Sequence, residues 1–179
     1  MAQHMDFFGI TMGQSLDDFE KCLVENGVVC STDSCKKYLF SYKNREYSIG
    51  VGCTKYSKQV MFVSVSLLSK IEEEKEEFLQ RALGRIVREY EFNKKEIIDI
   101  SYLNEVKFTL DMGTIYVRKN SIGKDIKYSV YLFDKENGSL SFAEHESDLY
   151  NKEVCKELQE KYNNPWFYDK NPRFENSEE

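Results

Sequence analysis

The chain has 179 residues, with 31 acidic against 25 basic side chains and a formal charge of −6. That length suffices for one compact domain or two small repeats sharing a core, burying about 70% of the unfolded surface, so neither metal nor disulfide is required for folding. Mean hydropathy is −0.59, no apolar run approaches the roughly 20 residues of a membrane helix, and the mild acidity argues against a nucleic-acid face.

The opening residues Met1-Ala2-Gln3-His4-Met5 lack the basic and apolar stretches of a secretory signal. The His4-Met5 pair reads as a cloning junction with Met5 as the natural start, so residues 1–5 are set aside. A cytoplasmic location is expected. The cysteines Cys22, Cys30, Cys35, Cys53 and Cys155 are odd in number. The first four are spaced C-x7-C-x4-C-x17-C, without the paired C-x2-C hooks of a zinc ribbon. Reduced thiols, no metal and no cofactor are expected.

The first helix begins after Ser15. Ser15 is the N-cap, Asp17 and Asp18 face the positive end of the helix dipole, and Leu16, Phe19 and Leu23 recur at helical spacing. Gly27 ends the helix as its C′ residue. Upstream, Phe7, Phe8, Ile10 and Met12 form an apolar lead-in expected to pack across the helix start.

Three strands follow. Residues 37–43 alternate, with Tyr38, Phe40 and Tyr42 on one face. Asn44-Arg45 makes a turn. Residues 46–53 place Tyr47, Ile49, Val51 and Cys53 together. Residues 59–67 set Met61, Val63, Val65 and Leu67 opposite Ser64 and Ser66. The pattern predicts an antiparallel meander with one buried face.

Residues 71–90 predict a long helix. Phe78, Leu79, Ala82, Leu83, Ile86, Val87 and Tyr90 form its stripe, and its charges run from acidic to basic. Beyond it, 97–102 suggests a short strand, and 106–111, 114–119 and 126–133 alternate. Asn137-Gly138 is expected to end the sheet, with a last helix over about 147–162. Residues 169–179 are expected to be a disordered tail.

The order predicts an α+β fold of two tandem α-β-β-β units, about 6–70 and 71–135, with helices on antiparallel sheet and a C-terminal helix. A single domain over 6–168 is expected.

The segment Phe8-Gly9-Ile10-Thr11-Met12-Gly13-Gln14-Ser15-Leu16-Asp17-Asp18-Phe19 resembles a signature of small uncharacterised Bacteroidetes proteins, aromatic-x-G-I-x-h-G-x-S-L-x-x-F. More distantly, it is similar to the helix-plus-meander unit of beta-lactamase-inhibitor proteins and small outer-membrane assembly lipoproteins. The resemblance implies a helix-on-sheet unit that binds other proteins and carries no catalytic residues.

Chemical signals are few. Asp99, Glu105 and Lys107 have the order of the acid and lysine set of metal-dependent nucleases, with Glu105 and Lys107 on one strand face. A charged strand edge gives the same pattern. His145-Glu146-Ser147-Asp148 reads as a polar loop capping the last helix. No G-x-S-x-G, P-loop or G-x-G-x-x-G occurs. Arg81, Arg85 and Arg88 line one helix side and suit an acidic partner or an anionic small molecule, or simply a solvated face. Pro165-Trp166-Phe167-Tyr168 places three aromatics in a row, suited to a core seal or to a partner patch. The function expected is a non-enzymatic protein-interaction module, for which an immunity or inhibitor protein of a bacterial conflict system is the fitting kind, binding another protein through Trp166, Phe167, Tyr168, Arg81, Arg85 and Arg88. The alternatives are a nuclease using Asp99, Glu105 and Lys107, or a binder of anionic small molecules.

Overall fold

The computed structural model of the chain describes residues 3–31 and 37–150. In chain order the elements are β1 (Asp6–Phe7), β2 (Ile10–Thr11), α1 (Leu16–Glu25), β3 (Val29–Ser31), β4 (Lys37–Tyr42), β5 (Arg45–Cys53), β6 (Val60–Leu67), α2 (Glu72–Glu89), β7 (Lys94–Ile100), β8 (Leu103–Thr109), β9 (Gly113–Ile122), β10 (Asp125–Asp134) and α3 (Lys135–Tyr150). The chain divides into two compact units, Met1–Gly138 and Ser139–Glu179. The described part of the second is the helical continuation of α3.

The fold is α+β. β1 and β2 form a hairpin, and the other eight strands form one sheet in the order β3-β4-β5-β6-β10-β9-β8-β7. Every pairing is antiparallel. Each of α1 and α2 is followed by a meander of four strands. The last strands of the two meanders, β6 and β10, pair at the centre, with Phe62 opposite Phe133 and Ser66 opposite Ser129. Each half thus has one strand more than an α-β-β-β repeat. The first half gains β3, too short for alternation to be legible; in the second, the short strand expected over 97–102 is β7, which begins earlier, at Lys94, among charged residues.

Period-two alternation divides the sheet into two faces. Tyr38, Ile49, Val63, Phe108, Ile115, Val117 and Leu132 join Phe19 and Leu23 of α1 and Ile86 of α2 in one core. Ser48, Gly50, Ser64, Ser66, Ser129 and Tyr131 alternate to the other side. The expected inward position of Met61 is corrected by a bulge. The register shifts between Gly52 and Cys53, so Cys53 pairs with Val60 and Gly52 with Phe62. Val60 therefore takes the fully buried place, and the extra residue sharpens the local twist. Gly52 is required there, because a Cβ would overlap the Phe62 ring.

Ser15 caps α1 by accepting from Asp18 N–H at 3.2 Å. Gly27 follows the C-cap with φ +86°, the left-handed conformation that glycine adopts without a Cβ penalty. The turn between β4 and β5 is Lys43-Asn44, both at positive φ, as in the primed hairpin turns. It thus lies one residue earlier than the expected Asn44-Arg45. The lead-in is the β1–β2 hairpin. Its Met5, Phe7, Ile10 and Met12 are buried, and Phe7 lies 6.3 Å from Phe19.

α3 departs most from expectation. Asn137-Gly138 lies inside it, and so does His145-Glu146-Ser147-Asp148, which is helix rather than loop. The reason is Asp134, whose carboxylate accepts from Asn137 N–H at 2.9 Å, a helix cap three residues ahead. The same carboxylate accepts from Met5 N–H at 2.8 Å and contacts His4 Nδ1 at 3.1 Å. The Asn137 amide donates to Met12 O at 2.9 Å and Val60 O at 2.7 Å. Tertiary bonds thus override the turn preference of Asn-Gly.

Two substitutions test this account by urea unfolding. Ser15→Ala should lower stability by about 1 kcal/mol, the usual cost of a lost cap. Asp134→Ala strands two buried backbone donors and should cost more, about 2–4 kcal/mol.

Candidate functional site

The sequence candidates are placed as follows. Trp166, Phe167 and Tyr168 lie outside the described residues. Arg81, Arg85 and Arg88 project from α2, but two of them pair with its own acids. Arg81 bonds Glu77, and Arg85 bonds Glu89 at 2.7 Å. The Arg85 guanidinium also lies 5.0 Å from the ring of Phe8. Phe8 is 66% exposed at the tip of the first hairpin, with φ +50°. Arg88 folds back over Gly84 of the same helix.

The acid and lysine set is divided between the two faces of the sheet. Asp99 opposes Asn104 in the β7–β8 register and accepts a hydrogen bond from its amide. Glu105 and Lys107 share a face, as expected, but it is the opposite one. There Glu105, only 5% exposed, pairs with Arg118. Lys107 lies 3.4 Å from Glu96. Among the described residues no three His, Cys, Asp or Glu side chains gather in a metal-holding group. Cys22 and Cys53 are free thiols; Cys35 and Cys155 lie outside the described residues.

The group that the sequence reading missed lies on the sheet face turned away from α1 and α2. Phe133 stacks on Phe62 with centroids 5.4 Å apart and meets Tyr116 edge-on at 5.4 Å. Tyr131 lies 6.4 Å from Phe133. The Arg118 guanidinium sits between Tyr116 and Tyr131, 4.7 and 4.8 Å from their centroids. Glu105 closes its third side. The side chain of Arg118 remains 31% exposed. Beside this cluster the face is small and polar, through Ser129, Ser66, Ser64 and Gly50. The alternation of β9 and β10 holds the signal: Tyr116-x-Arg118 and Ser129-x-Tyr131-x-Phe133 share a face. Only the cross-strand register brings them together.

On the helix face, Glu76 of α2 accepts from Lys119 and, at 2.9 Å, from the Tyr128 hydroxyl. The Lys119 bond holds the Glu76 carboxyl below the usual range, with help from Tyr128. The same bond raises Lys119, and burial raises the Tyr128 phenol. Near α1, burial and the bond to Glu20 raise the Tyr38 phenol. These contacts fasten helix to sheet.

The architecture defines an α+β protein built of two helix-plus-four-strand halves. No family model, curated protein or solved structure matches the chain. No described helix is long and apolar enough to cross a membrane.

The Glu76–Lys119 contact has a pH signature. A depressed carboxylate contributes stability that is present above its unfolded value, about 4.3, and is lost as pH falls through the folded value. The raised lysine contributes below about 10.4 and loses its contribution as pH rises further. Glu76 is 41% exposed, so solvent screening limits the effect to about 1 kcal/mol or less. Lys119→Met should flatten the acid limb of the stability–pH curve measured by urea unfolding. An unchanged acid limb would remove this pair from the account.

Proposed function

We propose that the chain is a non-enzymatic protein-interaction module that holds or blocks a partner protein, of the immunity or inhibitor kind found in bacterial conflict systems. The observation that carries this reading is the aromatic–arginine cluster of Tyr116, Arg118, Tyr131, Phe133 and Phe62 on the sheet face away from α1 and α2. Tyrosine and arginine dominate binding hot spots. Their planar groups contribute contact area at low entropic cost, and a stacked guanidinium is already oriented for a carboxylate. The pairing of Asp99 with Asn104, Glu105 with Arg118 and Lys107 with Glu96 also favours a binding role over catalysis. The net charge of −6 suits a protein partner better than a nucleic acid. The resemblance of the Phe8–Phe19 segment to inhibitor-type helix-plus-meander units points the same way. Trp166, Phe167 and Tyr168, which lie outside the described residues, are proposed as further partner contacts.

The experiment is capture of the partner from the native host, followed by titration calorimetry with Tyr131→Ala, Tyr116→Ala and a chain ending before Pro165. Each variant is first checked by thermal melt. A hot spot of about 2 kcal/mol appears as a loss of affinity of roughly 30-fold. Undiminished affinity in all three stable variants would exclude the interface. Metal-dependent nuclease activity abolished by Glu105→Gln would replace the binding reading altogether.

A further inference from the structure

We propose that two copies of the chain associate edge to edge through β7, joining their sheets antiparallel about a two-fold axis at Ile97. The proposal stands on the free edge of the sheet and does not depend on the binding role above.

The two edges of the sheet differ. β3 has three residues. β7 has seven, Lys94–Ile100, and among the described residues pairs only with β8. An edge strand of that length presents a row of unpaired backbone groups, and proteins commonly blunt such edges with charge, proline or brevity. β7 has no proline, and its apolar residues are open: Ile97 is 68% exposed, with Ile98 and Ile100 also exposed.

The backbone groups at this edge can be named. In the β8–β9 ladder, Leu110 N–H donates to Gly113 O and Ser121 N–H to Tyr102 O, each at 2.9 Å. Both are directly opposed pairs of the same register. Antiparallel ladders alternate hydrogen-bonded and non-bonded pairs. The even-numbered residues of β8 therefore turn their N–H and C=O toward β9, and the odd-numbered ones toward β7. Glu105 faces Ile98, and Lys107 faces Glu96. Lys94, Glu96, Ile98 and Ile100 are thus the β7 residues bonded to β8, and the backbone groups of Lys95, Ile97 and Asp99 point outward.

Symmetry and charge then choose the occupant and its register. Residues opposed in an antiparallel pair point to the same sheet face. In a continuous sheet made by a two-fold axis normal to it, some residue must therefore face its own copy. With Glu96 at the axis, two glutamates oppose each other. With Ile98 there, Ile97 opposes Asp99. With Ile97 at the axis, Ile97 meets Ile97 and each Lys95 meets the other copy's Asp99, twice by symmetry. These three are the residues with outward backbone groups, so each opposition is a bonded pair exchanging two N–H···O=C bonds. Among the described residues, neither Lys95 nor Asp99 is in an ion pair. The Lys95 ammonium lies 5.7 Å from the Phe108 ring, and Asp99 accepts from Asn104. Behind the seam, Ile97 borders a groove of about 170 Å³ whose lining includes Leu79, Leu83, Val106 and Val117. A self-complementary edge of this kind fits a second copy better than an arbitrary peptide, because the same patch supplies both halves of every contact.

A strand seam buries less than the roughly 1,200–2,000 Å² of a standard interface, so a dissociation constant of about 1–100 µM is expected. Sedimentation equilibrium across that range should show the 21.1 kDa chain passing to twice its mass. Lys95→Asp and Asp99→Lys each place like charges opposite one another. Each should weaken association at least about tenfold, with unchanged far-ultraviolet circular dichroism and melting temperature. The double variant Lys95→Asp/Asp99→Lys restores both opposite-charge pairs and should recover dimerisation. Mixing the two single variants should give a heterodimer. A monomer at every concentration, a dimer indifferent to the single reversals, or a loss that the double reversal does not recover would each overturn the proposal.

Discussion

A buried carboxylate sits where the two halves of the sheet meet. Asp134 ends β10 and accepts from the backbone of Met5 and Asn137, and Asn137 in turn donates to the carbonyls of Met12 and Val60. Four stretches of chain therefore converge on one polar knot: the N-terminal hairpin, the start of β6, the end of β10 and the first turn of α3. Burying such groups costs several kcal/mol unless every donor and acceptor is used. Among the described residues no buried side-chain polar atom lacks a partner. The knot thus specifies as well as stabilises. A slip of β6 against β10 would carry Val60 O away from the Asn137 amide and strand them both. Because β6–β10 is the junction between the meanders, fixing its register fixes how one half lies against the other.

From that junction the rest of the layout follows. Two antiparallel meanders joined at their last strands make one sheet with a single consistent alternation. α1 and α2, each preceding its own meander, cover the same face. The other face is then free to carry side chains chosen for something besides core packing. Small residues, Gly50 and Ser64 among them, line its centre, and the aromatic and arginine side chains gather where β9, β10 and β6 run together. The same closure consumes one edge of each meander and leaves two outer edges. Of these, β3 ends after three residues, while β7 runs for seven.

Much of this was legible in the sequence because it rests on short-range rules. Ser15 and Gly27 bracket α1 through capping geometry that depends on a few neighbouring residues. The inward faces of β4 and β5 follow from strict alternation, and alternation also marks β9 and β10 as strands. What was not legible depends on long-range register. Nothing local marks Val60 rather than Met61 as the buried residue, since the bulge is set by Gly52 on another strand. Asn137-Gly138 has turn chemistry, yet distant carbonyls and the Asp134 cap hold it helical. Glu105 and Lys107 were rightly placed on one face, but Asp99 proved to face the other way. Arg118 escaped notice because its partners, Tyr116 aside, lie on other strands.

The aromatic–arginine face and the β7 edge make different physical demands. A binding face of aromatic and arginine side chains gains from being held rigid before the partner arrives, since less side-chain freedom is then lost on association. The mutual stacking of Tyr116, Arg118, Tyr131 and Phe133 supplies that rigidity, and Glu105 fixes the guanidinium from beneath. β7 offers no such cluster. Its recognition groups are backbone N–H and C=O, already held straight by the β8 ladder, with two charges and one isoleucine to set the register. An edge recognises another edge by length and parity, whereas the face recognises shape and charge. Lengthening the sheet through β7 would leave Arg118 and Tyr131 where they are, two and three strands further in, so a dimer would present two copies of the face on one continuous sheet. Two weak contacts on one rigid support act at a high effective concentration. Edge pairing of modest strength would therefore raise the avidity of the face for a repeating or dimeric partner without altering a single contact in it.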